Sequence, residues 1–164
     1  MTAAALTRRA STGAAPSPPP STPARTAARF GLAGALVFAG CSHLFWARDA
    51  FRAQVPRFVP LDADGTVMAS GGVEIMLGAG LALLSRDRVL VGRLVAAFFV
   101  AVFPGNIAQY VHKRDGFGLN SDTRRFVRLL FQPLLIVWAL WSTAVPRQDD
   151  RAACEAQRVR RVHV

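Results

Sequence analysis

Six side chains could do chemistry within an otherwise apolar setting: His43, Glu74, Asn106, Gln109, Arg128 and Gln132. Glu74 is the most telling, because it is the only charge in the eighteen residues 67–84. A carboxylate inside a bilayer-spanning segment costs at least ~2.5–3.5 kcal/mol on insertion scales, so it faces a partner helix, a cavity or a ligand. There it can carry a proton, hold a ligand or brace the bundle. His43 offers an imidazole, either hydrogen-bonded between helices or available to a proton or ligand. Asn106, Gln109 and Tyr110 share a face just past Pro104. A proline kink bares carbonyls that polar side chains or water must satisfy. Arg128 lies at helical spacing with Arg125 and Gln132. It either snorkels to the membrane surface or reaches inward to neutralise Glu74.

The elements that must position these groups are four apolar stretches, residues 30–47, 67–84, 89–111 and 126–145. Each approaches the ~20 residues needed to cross a ~30 Å hydrocarbon core. Hydrophobic residues make up 52% of the 164 and mean hydropathy is +0.28, too apolar for an ordinary soluble domain. The chain therefore reads as all-α, a four-transmembrane-helix antiparallel bundle over residues 29–145. The helices are expected at about 29–47, 67–84, 89–111 and 126–144. Residues 1–28, rich in Ala, Thr, Ser, Pro and Arg, read as a disordered N-terminal tail, and 146–164 as a basic C-terminal tail. Ser85-Arg86-Asp87-Arg88 is a tight hairpin link. Phe38-Ala39-Gly40-Cys41 is similar to a lipoprotein cleavage box, but three more apolar segments follow it.

Alternating helices sort their connections onto two sides. The terminal side holds both tails and the 85–88 link; the loop side holds residues 48–66 and 112–125. His43 ends the first segment on the loop side, and Glu74 lies in the first half of the second. Asn106 is near the loop-side end of the third, and Gln132 near the loop-side start of the fourth. At ~1.5 Å per residue all four lie within roughly 6–10 Å of one membrane surface. That convergence predicts a polar site in one leaflet. Two stripes of small residues predict close helix approach: Gly31-Ala35-Ala39 leading to His43, and Ser70-Glu74-Gly78-Ala82 beside Gly71. Trp138 and Trp141 are expected at the interfacial belt.

The formal net charge is +10, and nineteen of the twenty basic residues are Arg. They are scattered through tails and loops without a stripe or binding motif, which argues against nucleic acid. Twelve lie toward the terminal side and eight toward the loop side, so both termini are expected in the cytoplasm. Cys41 and Cys154 form neither a CxxC nor a zinc spacing and read as free thiols. Asp62-Ala63-Asp64-Gly65 lacks the distal Glu of a calcium loop and reads as a turn, so no metal is assigned.

Several motifs carry a resemblance: Gly40-Cys41-Ser42-His43-Leu44-Phe45, Val55-Pro56 with Val59-Pro60, Ser70-Gly71-Gly72-Val73-Glu74, and Val102-Phe103-Pro104-Gly105-Asn106-Ile107. With Phe131-Gln132-Pro133-Leu134-Leu135-Ile136-Val137-Trp138-Ala139 they make residues 31–143 similar to the DoxX family of small bacterial membrane proteins. The resemblance implies a four-helix bundle in the bacterial plasma membrane. It also implies association with redox systems, including a thiosulfate:quinone oxidoreductase subunit and oxidative-stress complexes. The chain departs from the family in lacking a cysteine pair and in having Trp46-Ala47-Arg48 where a proline often follows the His-Phe motif.

Three functional readings follow. The first is an accessory subunit, rather than a stand-alone enzyme, of a membrane redox system. A quinone would occupy its polar pocket, the bilayer would surround it, and a membrane or peripheral oxidoreductase would be its partner. The second is a non-catalytic scaffold or small-molecule passage whose polar cluster only fixes helix packing. The third is haem ligation by His43 and His112, disfavoured because His112 lies near or outside the interface.

Overall fold

The computed structural model of the chain describes residues 20–52, 54–56, 59–113 and 121–146. The described residues form helices α1 (Pro23–Phe45), α2 (Arg48–Arg52), α3 (Ala63–Leu83), α4 (Arg88–Val111) and α5 (Asp122–Thr143). All but α2 are long and apolar enough to cross a membrane, and they pack antiparallel as the hydropathy pattern predicts. The chain is a multi-pass membrane protein. Large apolar side chains such as Phe38, Met76, Leu94, Phe131 and Val137 remain exposed on the bundle exterior. In a lipid solvent that is the expected place for them.

Capping chemistry sets the helix starts, and it moves them earlier than hydropathy suggests. α1 begins at Pro23 rather than 29, because the Thr22 side chain accepts from the Arg25 N–H (3.3 Å) and proline suits the first helical position. Residues 23–28 thus belong to the helix and not to a tail. α3 begins at Ala63 rather than 67, because the Asp62 carboxylate accepts from the Gly65 N–H (3.0 Å). The Asp-Ala-Asp-Gly motif is a helix start rather than a free turn. Ser121 caps α5 in the same way, so α5 begins at Asp122. The expectations for residues 1–19 and 147–164, including Cys154, lie outside the described residues.

α1 packs chiefly on α3 and α4 on α5, while α1–α5 and α3–α4 contacts close a four-membered ring. Glycines make the α1–α3 approach possible. A Cβ on Gly40 would stand 2.5 Å from the Gly71 carbonyl oxygen, and one on Gly78 would stand 2.8 Å from the Ala33 carbonyl oxygen. Backbone against backbone leaves no room for any side chain there.

The bundle divides along its length. Toward the terminal side, Leu32, Leu36, Leu81, Val91, Val95 and Ala139 form an apolar core with Phe99 at its loop-side edge. That end is closed by arginines on helix carbonyls. Arg25 Nη1 donates to the Trp141 and Ala144 carbonyls (both 3.2 Å), and Arg88 Nε donates to that of Thr143 (3.3 Å). Cations at a helix C-terminus satisfy its open carbonyls and its dipole together. Trp138 is half-buried and donates to the Ala28 carbonyl (3.0 Å), so it anchors α5 to α1 rather than serving only a lipid interface. At the loop side, Asp64 pairs with Arg52 (2.6 Å) and Arg48 (3.6 Å), and its carboxylate raises the already high pKa of Arg52.

Candidate functional site

The loop-side half of the bundle contains a cavity of about 490 Å³. That volume lies within the ~300–1,000 Å³ typical of small-molecule sites. Each long helix contributes polar groups to its wall: His43 from α1, Glu74 from α3, Asn106 from α4, and Arg128 and Gln132 from α5. Leu32, Leu36, Val67, Phe99 and Leu135 supply apolar surface between them.

On one wall stands an acid–imidazole pair. His43 Nδ1 lies 2.8 Å from Glu74 Oε2, and both side chains are nearly withdrawn from the surface, at 6% and 12% exposure. The close α1–α3 contact creates this pair. A Cβ on Gly71, one turn before Glu74, would come within 2.8 Å of the His43 Cβ. The two atoms sit at ion-pair distance without hydrogen-bond alignment, and neither has a hydrogen-bond partner among the described residues. Phe51 of α2 lies against the His43 ring.

On the opposite wall runs a hydrogen-bonded chain. Gln132 Nε2 donates to the Phe99 carbonyl (2.6 Å), and Asn106 Nδ2 donates to Gln132 Oε1 (2.8 Å). Arg128 donates through Nε to Asn106 Oδ1 (3.4 Å) and through Nη2 to Gln54 Oε1 (3.1 Å). Pro104 explains part of this arrangement. It cannot donate to the carbonyl four residues earlier, so the α4 backbone around Phe99 and Val100 lies next to a break in the ladder. The Gln132 amide donates beside that break, to the Phe99 carbonyl. Arg128 therefore reaches inward, to Asn106 and Gln54 on the cavity wall.

Five of the six anticipated residues line the cavity. Gln109 is the exception: it is buried at 1% exposure but is not part of the lining. The face it shares with Asn106 turns away from the cavity within one helical turn. Its Nε2 has no hydrogen-bond partner among the described residues. His112, at the C-cap of α4, is exposed and is not part of the lining either. The first small-residue stripe also behaves differently from expectation. α1 meets α3 through Ala33 and Gly40, whereas Ala35 and Ala39 border the cavity. Their small size makes space there rather than close packing.

Sequence reasoning missed Gln54. The segment after α2 folds over the bundle end, where Gln54, Val55, Pro56 and Val59 line the cavity. Gly105 seats this segment: a Cβ there would come 2.9 Å from the Gln54 carbonyl oxygen. The Pro-Gly-Asn run on α4 and the paired Val-Pro dipeptides were the available signals. Nothing local links them across fifty residues. Gln54 Nε2 is buried and has no hydrogen-bond partner among the described residues.

The cavity wall therefore offers an amide donor at Gln54, an acid at Glu74, an imidazole at His43 and the Arg128 guanidinium. Buried polar atoms lacking hydrogen bonds cost ~1–3 kcal/mol each, a debt that water or a ligand relieves. No group of three or more His, Cys, Asp or Glu side chains that could hold a metal ion occurs among the described residues. In sequence, residues 32–143 match a family described as a domain of unknown function, DUF8561. No curated protein and no solved structure matches the chain.

Proposed function

This chain belongs to the DUF8561 family, and we propose that it is an accessory subunit of a membrane redox system that holds a quinone or similar carrier in its loop-side cavity. The observation that carries this reading is the cavity itself. An acid, an imidazole and an amide, each with a buried atom short of a hydrogen bond, converge on one apolar space. A quinone suits such a space because its ring is apolar and its two carbonyl oxygens accept hydrogen bonds. Gln54 Nε2 and the His43 imidazole are donors on the cavity wall that such oxygens could meet. Reduction of a quinone to a quinol consumes two electrons and two protons. The electrons come from a partner oxidoreductase, and Glu74 with His43 handles the protons. The motif resemblance to the DoxX family supports the redox setting. The basic-residue bias supports a bacterial plasma-membrane orientation with both termini in the cytoplasm and the cavity in the outer leaflet.

The scaffold reading has one observation in its favour: the chain from Gln132 through Asn106 to Arg128 is hydrogen-bonded within the protein. We assign the Gln132–Asn106–Arg128 chain to bracing, and the His43–Glu74 pair with the Gln54 Nε2 donor to the ligand. The test begins with gentle detergent purification, followed by an optical spectrum and mass spectrometry for bound quinone. Binding of decyl-ubiquinone to the wild type and to Glu74→Gln is then compared. The substitution keeps shape and removes the acid. Intact folding with lost binding is expected. A wild type that binds no quinone, or a variant that binds it equally well, would sink the proposal.

A further inference from the structure

We propose that the cavity is loaded sideways from the bilayer, through a gap between α1 and α5, so that its occupant is a lipid-dissolved molecule with a polar head and a hydrocarbon tail. The inference rests on the ligand-binding reading above and adds to it the route and the tail.

The gap follows from how one face of α5 is used along its length. Arg124, Arg128, Phe131, Leu135 and Trp138 recur at helical spacing and share that face. At its terminal-side end the face meets α1: Trp138 donates to the Ala28 carbonyl, and its ring lies 3.6 Å from where a Cβ on Gly31 would stand. Toward the loop side the same face borders an open groove lined, among the described residues, by α5 side chains including Val127, Phe131 and Leu135. Arg128, Gln132 and Leu135 line both this groove and the cavity, so the two adjoin. On α1, the stripe that begins at Gly31 continues to Ala35 and Ala39, which border the cavity, and Ala35 is exposed. The described contacts between the two helices thus lie at the terminal side, whereas toward the loop side the same α5 face borders the groove.

Depth decides what can use such an opening. Ala35 lies near the middle of α1 (Pro23–Phe45), at the level of hydrocarbon. At the aqueous end the wall is formed by Phe51, Gln54, Val55 and Pro56. A molecule already dissolved in lipid reaches the gap by lateral diffusion. Its head then enters toward Glu74 and His43, and its tail stays against Val127 and Phe131. Thr123 and Arg124 form the polar rim of the same groove.

The test compares decyl-ubiquinone with the tail-free parent benzoquinone in proteoliposomes, read by quenching of tryptophan fluorescence. Ala35→Phe narrows the gap at an exposed position, and a melting curve checks its fold. It is expected to weaken decyl-ubiquinone binding by about tenfold or more. Met76→Phe, on the exposed face of α3, is expected to bind as the wild type does. The tail-free quinone is expected to bind more weakly to the wild type and to be less affected by Ala35→Phe. Wild-type binding that Ala35→Phe leaves unchanged overturns the lateral route while the quinone reading stands. A wild type that binds neither quinone overturns both.

Discussion

Two adjacent glycines on α3 give the sharpest test of the packing on which the His43–Glu74 pair depends. A Cβ on Gly71 would lie 2.8 Å from the His43 Cβ and 3.0 Å from the Gly40 carbonyl oxygen, whereas one on Gly72 would meet nothing within 4 Å. Gly71→Ala and Gly72→Ala are the same chemical change, one residue apart in one helix. Both gain helix propensity, about 1 kcal/mol for Gly→Ala. That gain cancels in the comparison, leaving only the overlap at Gly71. The atoms it meets are a backbone oxygen and the first side-chain carbon of a buried residue, so α1 must move as a body. Overpacking of this kind costs typically ~1–3 kcal/mol. Gly71→Ala is therefore expected to be less stable than Gly72→Ala by about 1–3 kcal/mol, with Gly72→Ala at or slightly above the wild type. Reversible unfolding in mixed detergent micelles, followed by tryptophan fluorescence, measures the difference. Shifting α1 also carries His43 away from Glu74, so Gly71→Ala is expected to lose affinity for the quinone probe while Gly72→Ala retains it. Equal stability and equal binding in the two variants would refute both the α1–α3 contact and the site built on it.

Other expectations concern the hydrogen-bonded wall, the closed end and the loop. Asn106→Leu and Gln132→Leu each strand a buried partner and are expected to cost ~1–3 kcal/mol. The double variant is expected to cost clearly less than their sum, as a double-mutant cycle would report. Arg25→Ala removes two hydrogen bonds to the carbonyls at the α5 C-terminus and is expected to lower stability by ~0.3–1 kcal/mol, with Arg25→Lys recovering part of the loss in thermal melts. Gly105→Ala brings a methyl to within 2.9 Å of the Gln54 carbonyl oxygen. It is expected to displace the loop and weaken quinone binding while leaving unfolding of the bundle nearly unchanged, in paired titrations and melts. Asp64→Asn is expected to cause a small loss of stability that disappears in high salt, because the Arg52 pair is partly exposed.

Depth was legible in the sequence, and direction was not. Helical rise is constant, so the position of His43, Glu74, Asn106 and Gln132 along each segment fixes their height in the bilayer. All four do line one cavity. Hydropathy likewise located the four spans, because a bilayer demands long apolar helices whatever their neighbours. Local capping groups at Thr22, Asp62 and Ser121 could have corrected the helix starts, since their effect lies within one turn. What a helical face meets is a different matter, because sequence periodicity defines faces without naming their neighbours. The Gly31-Ala35-Ala39 stripe reads as a packing face, yet while Gly31 lies against Trp138 of α5, Ala35 and Ala39 border the cavity. Gln109 shares a face with Asn106 in sequence but is turned out of the cavity in the bundle. The place of Gln54 depends on a contact with Gly105 made across the whole of α3. Pairings between distant segments are set by the summed packing of the bundle, and no local pattern encodes them.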